Sequence, residues 1–164
     1  MDRETLIASM NFARQRLLGT LDAIEKSGRD VAAVLAWRPG PGRAHIGWQA
    51  MHCAATHDKF LNVIIKGLAS PADPARVAAF GGGSTPSDQN VPTLAEIRSA
   101  LESTFAPFTD YLSKLNPQEL QRLVGPADRR RTIAESAMLM AWHESHHQGQ
   151  IHLTWNLYTA AHPA

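Results

Sequence analysis

Apolar residues recur at helical spacing over four long segments of this chain, and this periodicity is the feature that most limits its fold. In each segment an apolar side chain returns every three or four residues, which places a continuous apolar stripe on one face of a helix. The segments cover approximately residues 4–26, 44–68, 93–112 and 132–158. Two of them open with a capping box, formed by Thr93 with Glu96 and by Thr132 with Glu135.

Prolines and glycines separate these helices. A short apolar piece at 31–37 is cut off by the turn Arg38-Pro39-Gly40-Pro41-Gly42. Residues 70–92 are rich in proline and glycine and show little periodicity, so they are predicted to be the longest loop, either a simple mobile connection or a lid or partner surface. Pro107 should kink the third helix. Asn116-Pro117 should open a short helical segment that Gly125-Pro126 closes.

Four amphipathic helices without any run of alternating β-branched residues predict an all-α four-helix bundle. With 164 residues the chain is long enough for one domain, which we expect to span 1–164. The connection between helices 2 and 3 is long enough to cross the bundle. An up-down-down-up arrangement is therefore as compatible with the sequence as up-down-up-down.

Charge and cysteine content exclude several classes of protein. Sixteen Lys+Arg against fifteen Asp+Glu give a net charge of +1, and the one tight basic run, 129–131, lies at a helix start, so no nucleic-acid partner is expected. No stretch of about 18 apolar residues exists to span a membrane. The single cysteine, Cys53, has no internal disulfide partner, and the charged start of the chain lacks a signal peptide's apolar run, so we expect a cytoplasmic protein.

Histidine is the anomaly of the composition, because four of the eight histidines lie between residues 143 and 152. His143 and His147 are four residues apart on the fourth helix, so their Cβ atoms lie roughly 5–6 Å apart on one face, where two imidazoles can share a metal ion. The same face carries apolar residues, which directs both rings into the bundle. Carboxylates or backbone carbonyls could equally satisfy two such buried rings.

A third ligand is available at His52, on the core-facing side of the second helix. If helices 2 and 4 are neighbours, His52, His143 and His147 converge as three nitrogen ligands and leave coordination positions open, which is the catalytic pattern. Three imidazoles suit zinc, nickel or iron, and also copper. His45 and His57 are weaker candidates. His146 would lie beside the pair, whereas His152 and His162 are predicted to be structural or exposed.

His143-Glu144-Ser145-His146-His147 also matches the H-E-x-x-H pattern of zinc peptidases, in which Glu144 would be the general base. Such peptidases take a third ligand downstream. The metzincin form requires glycine and histidine where this chain has Gln150 and Leu153. No sheet is predicted that could pair with a peptide substrate, so the peptidase is the less favoured alternative.

Two stretches together resemble the DinB/YfiT-like superfamily of metal-dependent enzymes. They are Trp48-x-x-x-His52 after the Pro/Gly turn, and His143-Glu-x-x-His147-x-Gly149-Gln150-Ile151. The resemblance extends over nearly the whole chain and implies a four-helix bundle, often a homodimer, with a divalent metal held by His52, His143 and His147. The chain departs from the pattern at His57, where the family often has an acidic residue.

The resemblance further implies a small-molecule substrate. Relatives include metal-dependent transferases of low-molecular-weight thiols, among them a mycothiol-dependent maleylpyruvate isomerase and bacillithiol transferases. The sequence therefore favours a thiol-dependent S-transferase or a related hydrolase. The alternatives are a non-catalytic metal-binding or dimerisation module and a purely structural interaction protein.

Side chains near the candidate ligands have two readings each. Glu144 is either a base or a structural carboxylate, because it lies about 100° from His143 around the helix. Gln150, one turn beyond His147, would hydrogen-bond a ligand or close the floor of the pocket. Trp48 is predicted to be core, with substrate stacking as the alternative, and Cys53 is predicted to be a small buried hydrophobe.

Overall fold

A computed structural model describes residues 2–163, and within that range the chain is predominantly helical. The α-helices are α1 Arg3–Glu25, α2 Val31–Ala36, α3 Ile46–Asp58, α4 Pro74–Phe80, α5 Leu94–Ser113, α6 Pro117–Leu120 and α7 Ile133–Ala161. A π-helical segment, Lys59–Ile65, continues α3 without a break. The long helices α1, α3, α5 and α7 form the bundle, so the predicted all-α four-helix architecture is confirmed.

Contacts along α1 give its direction relative to both of its neighbours. Arg29, just beyond the end of α1, donates to the His162 carbonyl just beyond the end of α7, so these two helices run parallel. Arg3, at the start of α1, instead donates to the Leu115 carbonyl after the end of α5. Arg98, at the start of α5, pairs with Asp22 near the end of α1. Helices α1 and α5 are therefore antiparallel.

Helix α3 runs parallel to α5. Gly47, at the start of α3, lies against Pro92 just before α5. Farther along both helices, the His57 ring packs on Phe105 and Phe108. The bundle is therefore up-down-down-up, and the segment between α3 and α5 returns along its length, as a connection between parallel helices must.

Local signals set the ends of the helices. All three predicted caps are present: Thr93 and Thr132 form capping boxes at the starts of α5 and α7, and Asn116 forms another at the start of α6. Helix α5 continues through Pro107 to Ser113. The predicted starts hold because each hydroxyl or amide satisfies backbone N–H groups that have no partner within the helix.

The prediction for residues 70–92 needs a correction, because α4 lies inside the expected loop. Asp73 caps its N-terminus by accepting from the Ala75 N–H, and Pro74 occupies the first turn. The segment expected to stay helical up to Gly125 also differs, because α6 ends at Leu120. A two-residue antiparallel pair, β1 Leu123–Val124 with β2 Arg131–Thr132, follows it. A short 3₁₀ turn at 127–129 joins the two strands.

Two apolar clusters fill the bundle, and a layer of polar side chains separates them. One cluster contains Leu17 on α1 and Ile151 on α7, and the other contains Met10 and Met140 on the same two helices. The layer between them holds Arg14, His52, His57, Glu144 and His147, each no more than 9% exposed. Burying an ionisable group in an apolar interior destabilises the fold unless the group has a partner, and such groups cluster at functional sites. This layer is therefore the candidate functional site.

Among the helices of residues 2–163, none is both long and apolar enough to cross a membrane.

Candidate metal centre

His52, His143 and His147 converge in the polar layer. Each offers a ring nitrogen, and the three nitrogens lie within 4.8 Å of one another. His143 and His147 stand one turn apart on α7, and their ring centroids are 4.6 Å apart. Helix α3 packs against α7 and carries His52 to within 5.1 Å of His143 and 5.0 Å of His147 between ring centroids. The structure thus brings together the three residues that the helix faces predicted.

The His52 ring is held on two sides. Its Nδ1 lies 2.7 Å from the carbonyl oxygen of Phe80 at the end of α4. A carbonyl only accepts, so His52 donates from Nδ1 and keeps the lone pair on Nε2, the nitrogen that faces His143. Trp48 stacks on the ring with centroids 4.7 Å apart, and its indole N–H donates to the Ala79 carbonyl. Orientation of a ligating histidine by a carbonyl at its second nitrogen is the usual arrangement in metal sites.

The ring nitrogens of this cluster fit a cation. His52 Nε2 and His143 Nε2 lie 3.2 Å apart, so the His52 lone pair points at a second imidazole nitrogen. His143 Nδ1 and His147 Nδ1 are buried without a hydrogen-bond partner. Buried polar atoms of this kind typically cost about 1–3 kcal/mol each. A group of imidazoles that face one another with unused nitrogens is suited to a divalent metal of the zinc, nickel or iron type.

Burial sets the protonation state of the three rings. It lowers the pKa of His143 to about 4, with further contributions from His52 and His146. Burial and the neighbouring His143 lower the pKa of His147 to about 3. The pKa of His52 is also lowered by burial, against the hydrogen bond to Phe80. All three imidazoles are therefore neutral near pH 7, which is the form that binds metal.

The outer edge of the cluster is formed by exposed residues of α7. Trp142 is 60% exposed, and it stacks on His146 with ring centroids 5.3 Å apart. His146 in turn packs edge-on against His147. Gln150 was expected on the core-facing side, but it is exposed, and its amide lies 2.9 Å from His146 Nε2. Gln150 therefore lies on the exposed side of α7 beside His146 and does not form a buried floor.

Glu144 points away from solvent into an ion pair with Arg14 of α1. Both of its carboxylate oxygens accept from the Arg14 guanidinium, and the side chain is 1% exposed. Arg14 also donates to the Leu101 carbonyl and lies over the Phe105 ring. Of the two readings of Glu144, this geometry favours the structural carboxylate that links helices, and it offers the peptidase alternative no free base.

His57 lies on the other side of Glu144. Its Nε2 is 3.2 Å from Glu144 Oε2, although the alignment is not that of a hydrogen bond. Burial, followed by the charge of Arg14, lowers the pKa of His57 to about 3, so the ring is neutral. Cys53 is buried, as predicted, and burial raises the pKa of its thiol well above the usual value.

Sequence reasoning did not single out Arg14. The signal was present, because Arg14 follows Met10 by four residues and precedes Leu17 by three, on the face of α1 that packs into the core. A charged residue on an otherwise apolar stripe predicts a buried partner. Of the weaker histidine candidates, His45 caps α3 by accepting from the Trp48 N–H. It therefore has a structural role outside the cluster.

The family comparison agrees with this geometry. The sequence model of the DinB superfamily matches residues 9–151, a range that includes all three converging histidines and the whole polar layer. No curated protein matches the chain at a significant level.

Proposed function

Because the chain belongs to the DinB superfamily, we propose that it is a metal-dependent enzyme acting on a small molecule, with His52, His143 and His147 as the ligands of one divalent ion. One observation carries the proposal. Within residues 2–163 the group of close ligand atoms has three members, and no cysteine or carboxylate joins it. Three protein ligands with coordination positions left open are typical of catalytic sites, whereas structural sites are closed by a fourth.

The residues of this chain would orient a ligand, keep the imidazoles neutral and line the approach from solvent. The Phe80 carbonyl and the Trp48 ring fix the orientation of His52. Burial keeps the imidazoles neutral, so they do not repel a cation. When bound, the metal supplies a Lewis acid that favours the deprotonated form of a coordinated water or thiol. Trp142, His146 and Gln150 lie at the solvent side, where a substrate would enter.

We favour S-transfer from a low-molecular-weight thiol over hydrolysis, on the basis of the family resemblance. In that reaction the thiol loses its S–H proton to solvent, and its sulfur forms a bond to a carbon of the electrophile. A leaving group departs with the electrons of the bond that breaks. A test is to mix the protein with monochlorobimane and, in turn, mycothiol, bacillithiol or glutathione, and to measure product fluorescence with and without a chelator.

The metal itself is tested by elemental analysis of the untagged protein beside His52→Ala, His147→Ala and the matched control His152→Ala. His152 lies on the same helix as His147 but is exposed. We expect near-stoichiometric metal in the wild type and the control, and loss of metal in both ligand variants with helical content intact. A wild type that contains no metal and fails to bind added zinc, nickel or iron would contradict the proposal.

We further propose that each chain forms one domain and that two chains associate as a homodimer. Large exposed apolar side chains, against which a second copy could pack, are most frequent on α7, as Met138, Trp142, Leu153 and Leu157. Phe12 on α1 is also 66% exposed. Sedimentation equilibrium of the wild type and of Leu153→Glu would test this, since a charge in an apolar interface should shift the equilibrium towards monomer.

A further inference from the structure

A cavity that is separate from the three histidines lies between α3, α4 and α5. Its volume is about 500 Å³, which is within the range of small-molecule sites. The walls are mainly apolar and include Met51, Ala54, Leu61 and Val77. None of the three histidines is among its lining residues. Neither the metal centre nor the proposed reaction explains this space.

The cavity wall contains a buried carboxylate. Asp58 is 5% exposed and ends α3 where the π-helical segment begins. It accepts hydrogen bonds from the Asn62 amide at 2.7 Å and from the Ser70 hydroxyl. Both donors are neutral, and within the described chain no cationic side chain forms an ion pair with Asp58. A carboxylate offers about four acceptor positions, so capacity for a charged donor remains.

Other groups of the lining add to this acceptor character. Pro107 lines the cavity and has no N–H to donate, so it leaves the Ser103 carbonyl one turn earlier without its usual helical partner. The Asn62 amide uses its nitrogen on Asp58, and its oxygen stays an acceptor. The π-helical backbone beside Asn62, marked by the Lys66 N–H donating to the Leu61 carbonyl, is a feature often found at functional sites.

The lining of the cavity contains one cationic side chain, Arg76 of α4, which is exposed and has no ion pair or side-chain hydrogen bond within residues 2–163. Hydrogen bonds from Thr93, and further the charge of Arg76, lower the pKa of Glu96. Asp73 also lines the cavity, and its carboxylate accepts from the Ala75 N–H as the cap of α4. A guanidinium presents paired donors that match a carboxylate. The cavity therefore offers an acceptor-rich buried end, apolar walls and a donor at its rim.

We propose that this cavity binds a small zwitterion of the amino-acid type, whose ammonium group contacts Asp58, whose apolar side chain fills the space lined by Met51 and Leu61, and whose carboxylate faces Arg76. The buried carboxylate selects the ammonium, because a positive charge there compensates a negative one in a place of low dielectric. The site does not depend on the metal centre. Helix α4 nevertheless joins the two, since it carries both Arg76 and the Phe80 carbonyl that holds His52.

The test is a titration of metal-free protein with three related probes. Binding is measured by isothermal titration calorimetry and by changes in backbone amide chemical shifts. The probes are phenylalanine, phenethylamine, which lacks the carboxylate, and 3-phenylpropanoate, which lacks the amine. We expect saturable binding of phenylalanine, weaker binding of phenethylamine and none of 3-phenylpropanoate. Equal binding of 3-phenylpropanoate and phenylalanine, or no saturable binding of any probe at millimolar concentration, would overturn the proposal.

Variants separate the roles of the residues. Asp58→Asn should weaken phenylalanine binding by about tenfold or more, because a hydrogen bond between charged groups is lost. The control Asp128→Asn, an exposed acid outside the cavity, should leave binding unchanged. Ala55→Leu fills the cavity, leaves every charged side chain in place and should abolish binding of phenylalanine. This variant tests the proposal if Asp58→Asn does not fold. Unchanged affinity in both Asp58→Asn and Ala55→Leu would place the probe elsewhere and contradict the proposal.

Discussion

Arg14 and Glu144 form an ion pair inside the bundle, with the guanidinium of α1 donating to both oxygens of the carboxylate on α7. The two side chains are 7% and 1% exposed, so solvent does not screen the pair. In an H-E-x-x-H peptidase Glu144 would act as the general base. Here its carboxylate is paired with the permanent positive charge of Arg14. The pair also fixes how the two parallel helices that flank the polar layer meet.

Replacing one partner of this pair should destabilise the fold strongly. We expect Arg14→Met to cost about 3–5 kcal/mol in the free energy of unfolding, because it leaves a buried carboxylate without compensation. The double variant Arg14→Met/Glu144→Leu should recover much of that loss. Urea denaturation measures both, with Asp128→Asn at an exposed pair as a control expected to cost less than about 1 kcal/mol. An Arg14→Met protein as stable as the wild type would show that the pair contributes little.

Support of His52 by Trp48 should be visible in metal affinity. Trp48→Ala removes both the ring stacked on His52 and the bond to the Ala79 carbonyl, and we expect affinity for zinc or nickel to fall about 10–100-fold. Trp48→Phe keeps an aromatic ring and loses only the N–H, so its effect should be smaller. Competition with a chromogenic chelator gives the dissociation constants. Equal losses in the two variants would argue against stacking as the cause.

Metal binding should stabilise the folded protein and require the three histidines. Free metal at about 100 times its dissociation constant adds about 2.7 kcal/mol if only the native state binds it. Differential scanning calorimetry of metal-free protein with added zinc should therefore show a higher Tm for the wild type and for His152→Ala. No such increase is expected for His143→Ala. A similar rise in His143→Ala would indicate binding at another site.

Acid should destabilise the metal-free fold through His57. Its pKa is lowered to about 3, chiefly by burial, whereas a histidine in the unfolded chain titrates near 6.5. Between these values the unfolded state binds more protons, so the free energy of unfolding is full above about pH 6.5 and falls as pH approaches 3. Urea denaturation at several pH values should give a shallower pH dependence for His57→Phe than for the wild type. If the free energy of unfolding changed with pH equally in both proteins, His57 would not be the cause of the acid destabilisation.

Much of the fold and of the candidate site followed from local patterns. The helix starts were predictable because a capping residue acts on backbone groups within one turn. His143 and His147 could be placed on one face because the helical period alone fixes their spacing. Helix α4 was missed because seven residues with a weak apolar pattern give little periodicity, although Asp73-Pro74 is a cap signal.

Gln150 shows where helical spacing misleads. It lies one turn from His147, and yet it is exposed, because the burial of a position depends on the helices around it. Arg14 was missed for a related reason. A charge on an apolar stripe predicts that a buried partner exists, but which residue is the partner depends on the helix that packs against it.

By itself the sequence determined the helices, the Pro/Gly turns between them and the turn-by-turn spacing of the histidines, since these depend on interactions within a few residues. Only the tertiary structure decided that α3 runs parallel to α5, that His52 meets the α7 pair and that Glu144 turns to Arg14. Two of those relationships join residues that are more than ninety positions apart in the sequence. The third concerns the direction of two helices, and the sequence is compatible with more than one bundle topology. Packing of whole apolar faces selects among such arrangements, and no local pattern records that choice.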